Sequence, residues 1–250
     1  MPPMTLTRSI PAAGFAATAI GFGPGRMGFG LFLPALRESF GLSSGAAGLI
    51  SGLGFLGFFA GLLAAYVLDL RHGPRRAVVA GLCAAAAGMA LVATAPGVPW
   101  LAAGVFLAMS SAGFTWAPFN EAVQRALPDA SRPGALSEVS SGTALGVALA
   151  GAAALALALT DGSWRIAWGG FAAAAALAAW LNHRALHVVA SPQPTRRPGP
   201  GDLLAVSALP LYGIALSFGA TTAIYISFAA DRVASTGGMA GLATQAAPAG

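Results

Sequence analysis

Apolar residues run along this chain in blocks long enough to cross a bilayer, which takes about 20 residues as a helix. The blocks are residues 10–33, 45–68, 77–95, 100–122, 135–159, 164–181 and 203–229. Between them lie short polar breaks: Asp69-Leu-Arg-His-Gly-Pro-Arg-Arg76, the Pro96-Gly-Val-Pro99 turn, residues 124–132, and Thr160-Asp-Gly162. The pattern predicts an all-α, polytopic transmembrane helix bundle of about seven spans. Breaks this short predict that spans adjacent in sequence are antiparallel neighbours. From Asn182 to Asp202 the apolar pattern gives way to His, Arg, Pro, Gln and Gly, the composition of a linker between two membrane units. The organisation expected is therefore a six-helix bundle over residues 1–187, a cytoplasmic linker over 188–202, and the first helix and tail of an incomplete second bundle over 203–250.

Composition agrees with this pattern. Charged residues make up 8% of the chain and hydrophobic ones 56%, against about 25% charged in soluble domains, and the mean hydropathy is +0.74. The net charge of +5 does not point to nucleic acid, because the basic residues are scattered through short loops with no basic face or interleaved aromatics. A single cysteine, Cys83, excludes an internal disulfide and a cysteine-rich metal site. His72, His183 and His187 stand at loops or helix ends without a neighbouring carboxylate cluster in sequence, so no metal or other cofactor is expected. Arg8 ahead of an apolar run ending in Ala17-Thr-Ala19 has the outline of a signal peptide, but the run continues to Leu33, and that length favours a retained span.

Arginine placement sets the expected orientation. With the N-terminus cytoplasmic, nine arginines lie in inside loops and three, Arg37, Arg165 and Arg232, outside. The positive-inside bias then predicts a multi-pass protein of the cell (plasma or inner) membrane with a cytoplasmic N-terminus. The remaining arginine, Arg26, sits inside the first apolar run, where a cation costs about 2.5 kcal/mol or more. A charge kept at that cost usually faces a cavity; it either binds an anionic substrate group or an acidic partner, or is a structural arginine satisfied by helix carbonyls freed at Pro24 and Gly25 or snorkelling outward.

Polar content recurs in every third span. The first carries Arg26, the fourth Ser110, Ser111, Thr115, Trp116, Asn120 and Glu121, and the seventh Ser217, Thr221 and Tyr225 at i, i+4 and i+8. The third and sixth are nearly featureless and fit lipid on all sides. Polar side chains turn toward the interior of a membrane bundle, so spans one, four and seven are expected to line one cavity. Arg26, Trp116, Asn120, Ser217, Thr221 and Tyr225 are the candidate substrate contacts. Glu121 is the candidate coupling residue, with a helix-end ion pair to Arg125, four residues on, as the plainer reading. The pairs Gly21/Gly25, Gly48/Gly52, Gly57/Gly61 and Gly142/Gly146 have the GxxxG spacing of close helix contacts.

Several of these features together resemble the major facilitator superfamily. They are Gly25-Arg-Met-Gly-Phe-Gly-Leu-Phe-Leu-Pro-Ala-Leu36 in the first span, the acid-then-basic loop after the second, Asp161-Gly-Ser-Trp-Arg165 leading into the sixth, and the six-span unit followed by a linker. In the loop, Asp69, Gly73, Arg75 and Arg76 match the family's signature in type, with Ala65 where a glycine is usual and one extra residue between Asp69 and Gly73. The resemblance implies a secondary active transporter of twelve spans, moving a small solute by alternating access, ion-coupled or by exchange. It also implies that Asp69, Gly73, Arg75 and Arg76 form a gating loop, and that this chain is the N-terminal half plus one helix. The partners implied are a small-molecule substrate, the lipid bilayer and a coupling proton or ion.

Competing classes are weaker. Gly23-Pro-Gly-Arg-Met-Gly28 matches the dinucleotide fingerprint, but no strand precedes it and no soluble βαβ unit surrounds it. Intramembrane Ser111 and Ser217 have no histidine within a span to serve as base, so an enzyme is not expected. The remaining alternative is a truncated or structural membrane protein with no transport of its own.

Overall fold

A computed structural model describes residues 4–160, 162–189 and scattered positions between 210 and 233. Among the described residues every regular element is helical. The first span is composite: α1 (Met4–Ile20) runs into a π-helical stretch, Gly21–Met27, then into α2 (Gly28–Leu31) and α3 (Leu33–Phe40). Pro24 lies within the π stretch. A proline there has no N–H to donate and crowds the preceding turn, and the wider turn absorbs the misfit. The helical path thus continues past the expected end at Leu33, to a stop at Gly41, whose φ of 61° suits glycine. Arg37 ties this corner to the next helix, its Nε donating to the Leu42 carbonyl at 3.1 Å and its Nη2 to Ser44 Oγ at 2.7 Å.

The later spans are α4 (Ser44–His72), α5 (Pro74–Ala93), α6 (Val98–Ala126), α7 (Arg132–Thr160) and α8 (Trp164–Ala185). Among the described residues four segments are individually long and apolar enough to cross a membrane: Ser44–His72, Pro74–Ala93, Val98–Ala126 and Asp129–Thr160. The expected seventh span is helical at its described positions, whereas most of the 188–202 linker lies outside the described residues.

Partner choice departs from sequence order. α6 packs along α4 and α5, α5 along α8, and α7 along α1 and the π-helical stretch, while α7 barely touches α6 or α8. The expectation that adjacent spans are neighbours therefore fails for these two pairs. Glycine seams decide the outcome. A Cβ at Gly57 or Gly61 of α4 would strike the carbonyls of Phe106 and Ser110 on α6, and one at Gly142 or Gly146 of α7 would strike those of Phe15 and Ala19 on α1. Gly81 and Gly88 of α5 are held as closely against α6. Without an apolar driving force between helices in lipid, such backbone approach is what selects partners.

Two further expectations change. α5 is not lipid-exposed on all sides: Val78, Leu82, Ala85, Met89 and Val92 are buried along the faces it turns to α6 and α8. Asn182, read as the start of the linker, is fully buried on α8, and its Nδ2 donates to the Ala13 carbonyl of α1 at 3.1 Å. Gly48 and Gly52, in contrast to the other pairs on α4 and α7, make no close helix contact.

Two apolar clusters divide the bundle. One gathers Phe29, Phe32, Leu36, Met89, Leu101 and Trp168, the other Ile10, Ala17, Leu82, Phe119, Val123 and Val139. In chain order the π-helical stretch falls between them, and it carries Arg26.

Candidate functional site

The π-helical stretch is gripped on three sides. Gly23 lies against the Gly146 backbone of α7, Gly25 against Ser111 of α6, and Gly28 beneath the Trp168 ring of α8. The glycines hold the backbone close to its neighbours and leave Arg26 half-buried beside α4. Its guanidinium carbon is 4.9 Å from the centroid of Phe58, 5.7 Å from Phe22 and 6.0 Å from Phe55. Trp116 of α6 meets the Phe22 ring edge-on at 5.8 Å. Each cation–aromatic contact is worth about 0.5–2 kcal/mol. Three of them are of the same size as the about 2.5–3.5 kcal/mol cost of a central arginine. The rings thus hold the charge without a carboxylate. They do not satisfy its N–H groups, and among the described residues the buried Arg26 Nε has no hydrogen-bond partner.

Of the predicted contacts, the structure joins Arg26 and Trp116 through Phe22, with Asn120 half-buried one turn along α6 from Trp116. Ser217, Thr221 and Tyr225 are exposed, and the Ser217 and Thr221 hydroxyls donate to the carbonyls of Gly213 and Ser217 at 3.0 and 2.9 Å. Ser110, Ser111 and Thr115 of the fourth span are buried within the described bundle. Ser111 and Thr115 are fully buried in the seam with the first span, their hydroxyls donating to Ala108 and Ala112 of their own helix. The aromatic cage was missed because Phe55 and Phe58 read as ordinary apolar positions. Their i, i+3 spacing on the span after Arg26 was the available signal.

At the α4–α5 turn, Gly73 has φ 84°, a conformation that glycine adopts without strain, and its N–H donates to the Asp69 carbonyl at 2.8 Å. Ala65, where the family pattern has glycine, is 1% exposed, so the small side chain meets the same packing requirement. Among the described residues the buried Asp69 Oδ1 has no hydrogen-bond partner. Glu121 and Arg125 form the helix-end ion pair at 2.6 Å. Arg75 turns away to α8, its Nη2 2.8 Å from His183 Nε2. Among the described residues no group of three or more His, Cys, Asp or Glu is placed to hold a metal ion.

Opposite, at the far end of α5, Arg165 donates to the Ala93 and Ala95 carbonyls at 2.9 and 2.8 Å and stacks on Trp164 at 4.4 Å. The Ser-Trp-Arg motif thus closes the open end of α5. Trp164 Nε1 donates to Ser39 Oγ at 2.8 Å, tying α8 to α3.

A glycine-seamed bundle of membrane-crossing helices with one caged arginine at its broken first span defines a polytopic membrane protein. A family model described as Major Facilitator Superfamily matches residues 15–246, and the chain belongs to that superfamily. Among solved structures it is similar to a bacterial homolog of the human lysosomal transporter Spinster, crystallised in an inward-facing and unoccupied conformation, with a TM-score of 0.70 and 20% identity. The match covers 95% of this chain and 57% of that one. No curated protein matches the sequence significantly.

Proposed function

We propose that the chain is the N-terminal part of a secondary active transporter, in which a small solute carrying an anionic or strongly polar group binds beside Arg26. The observation that carries the reading is the caged guanidinium: aromatic faces hold its charge, while Nε has no partner among the described residues. An anionic oxygen is the complement of such a group. Trp116 and Asn120 on α6 form the adjoining wall, and Ser217, Thr221 and Tyr225 of the seventh span complete it when the second bundle closes. Asp69, Gly73, Arg75 and Arg76 act as the gating loop, and Glu121 as the coupling site for a proton or ion. The bundle sits in the cell's inner or plasma membrane with its N-terminus cytoplasmic. Residues 188–202 link the two halves, which alternate access by rocking.

The direct test is solute uptake into vesicles by the wild type and Arg26→Ala. The expected result is loss of uptake at unchanged membrane insertion. Wild-type uptake in the variant would remove Arg26 from the site. The second reading, a structural protein without transport, draws on the exposure of Ser217, Thr221 and Tyr225, and predicts no uptake from either form.

A further inference from the structure

Where α4 turns into α5, a cleft of about 700 Å³ opens against the end of α8. Arg71, His72, Arg75 and Arg76 line it from the turn, and His183 and His187 from α8 and just beyond. Among the described residues its lining includes no carboxylate. Asp69, one turn back on α4, is not part of that lining. The Arg75–His183 contact at 2.8 Å anchors one guanidinium across the cleft from α5 to α8. The N-terminus of α5 forms part of the wall, and its cap residue Gly73 supplies no side-chain hydrogen bond to the first turn. Positive charge and the N-terminal end of α5 therefore converge on one space.

The surroundings say what kind of anion fits. α4 has 29 residues, which at about 1.5 Å each exceeds the roughly 30 Å hydrocarbon thickness. Its last turn, with Arg71 and His72, therefore stands at headgroup level. On α8 just before the histidines, Leu177, Trp180 and Leu181 are exposed, and Arg184 stacks on Trp180 at 4.4 Å. An apolar outer face ending in a tryptophan and a stacked arginine is the profile of a helix passing from acyl chains into headgroups.

The geometry points to a phosphate-binding site in this cleft that holds the headgroup of an acidic phospholipid, with its acyl chains along α8. The arginines take the phosphate oxygens. The histidines and the α5 N-terminus add donors. The site is separate from Arg26 and does not depend on the transport reading.

The test compares the wild-type chain with Arg71→Gln/His187→Gln. Both residues are exposed, so the fold tolerates their replacement, which size-exclusion and circular dichroism verify. Retention of phosphatidylglycerol over phosphatidylcholine is measured by native mass spectrometry of protein released from mixed nanodiscs. The wild type is expected to prefer phosphatidylglycerol, and the preference to fall by at least about fivefold in the variant, the effect of one arginine lost near the headgroups. Equal retention by the two folded proteins would overturn the site. Stabilisation of detergent-purified protein by glycerol 3-phosphate equal to that by phosphatidylglycerol would overturn the lipid assignment in favour of a soluble phosphate ester.

Discussion

Arg26 illustrates how far single residues carry meaning here. Its position in an apolar run was enough to mark it, because the cost of a membrane charge is local and needs no knowledge of neighbours. Its means of support was not legible, since the phenylalanines around it lie on two different spans. Thr18 shows the opposite case. Nothing in the sequence distinguishes it from any threonine in an apolar helix, yet it is fully buried, with Oγ1 2.6 Å from the Val139 carbonyl of α7 and 3.0 Å from that of Gly14. Thr18→Val keeps the shape and removes the bond between α1 and α7. We expect a loss of about 1 kcal/mol, read as a small drop in thermal midpoint in detergent. Asp69 is the third such residue. Its carboxyl is half-buried at the end of α4, so if the proposed gating loop operates, Asp69→Asn is expected to change turnover while leaving expression at the wild-type level, as read by initial uptake rates normalised to protein in the membrane.

At the scale of elements, the glycine spacing on α4 and α7 was informative where a partner backbone approaches, and uninformative at Gly48 and Gly52, where none does. Spacing records the capacity for close contact, and the facing helix decides whether it is used. This separates two substitutions of equal size. Gly146→Leu drives a side chain into the Ala19 backbone of α1 and is expected to cost at least about 1–3 kcal/mol, seen as low expression or aggregation on size-exclusion chromatography. Gly169→Leu, at a position of α8 with nothing within 4 Å, is expected to behave as wild type. Helix ends follow the same logic. The sequence marks Arg165 only as a loop arginine, whereas the structure uses it to close the last carbonyls of α5, about seventy positions back in the chain.

For the whole molecule, the chain spans little more than half the length of the Spinster homolog it matches. The exposed apolar residues Leu49, Leu56, Leu63 and Leu70 on α4 and Leu145 and Leu149 on α7 are the surfaces offered to lipid or to a second bundle. Orientation is testable on this chain directly. In a Cys83→Ala background, Ala130→Cys is expected to react with a membrane-impermeant maleimide only after the cells are opened, and Ser163→Cys in intact cells. The reverse pattern would invert the topology read from arginine placement. The class and the presence of one charge inside an apolar span follow from one-dimensional facts, because hydropathy and the penalty for a buried charge act on each segment alone. Which helices pack together, the aromatic cage around Arg26, the pairing of Arg75 with His183 and the basic cleft beside them join residues far apart in the chain. Only the tertiary structure decided these, because helices in lipid are sorted by the fit of their surfaces, and that fit belongs to two segments at once.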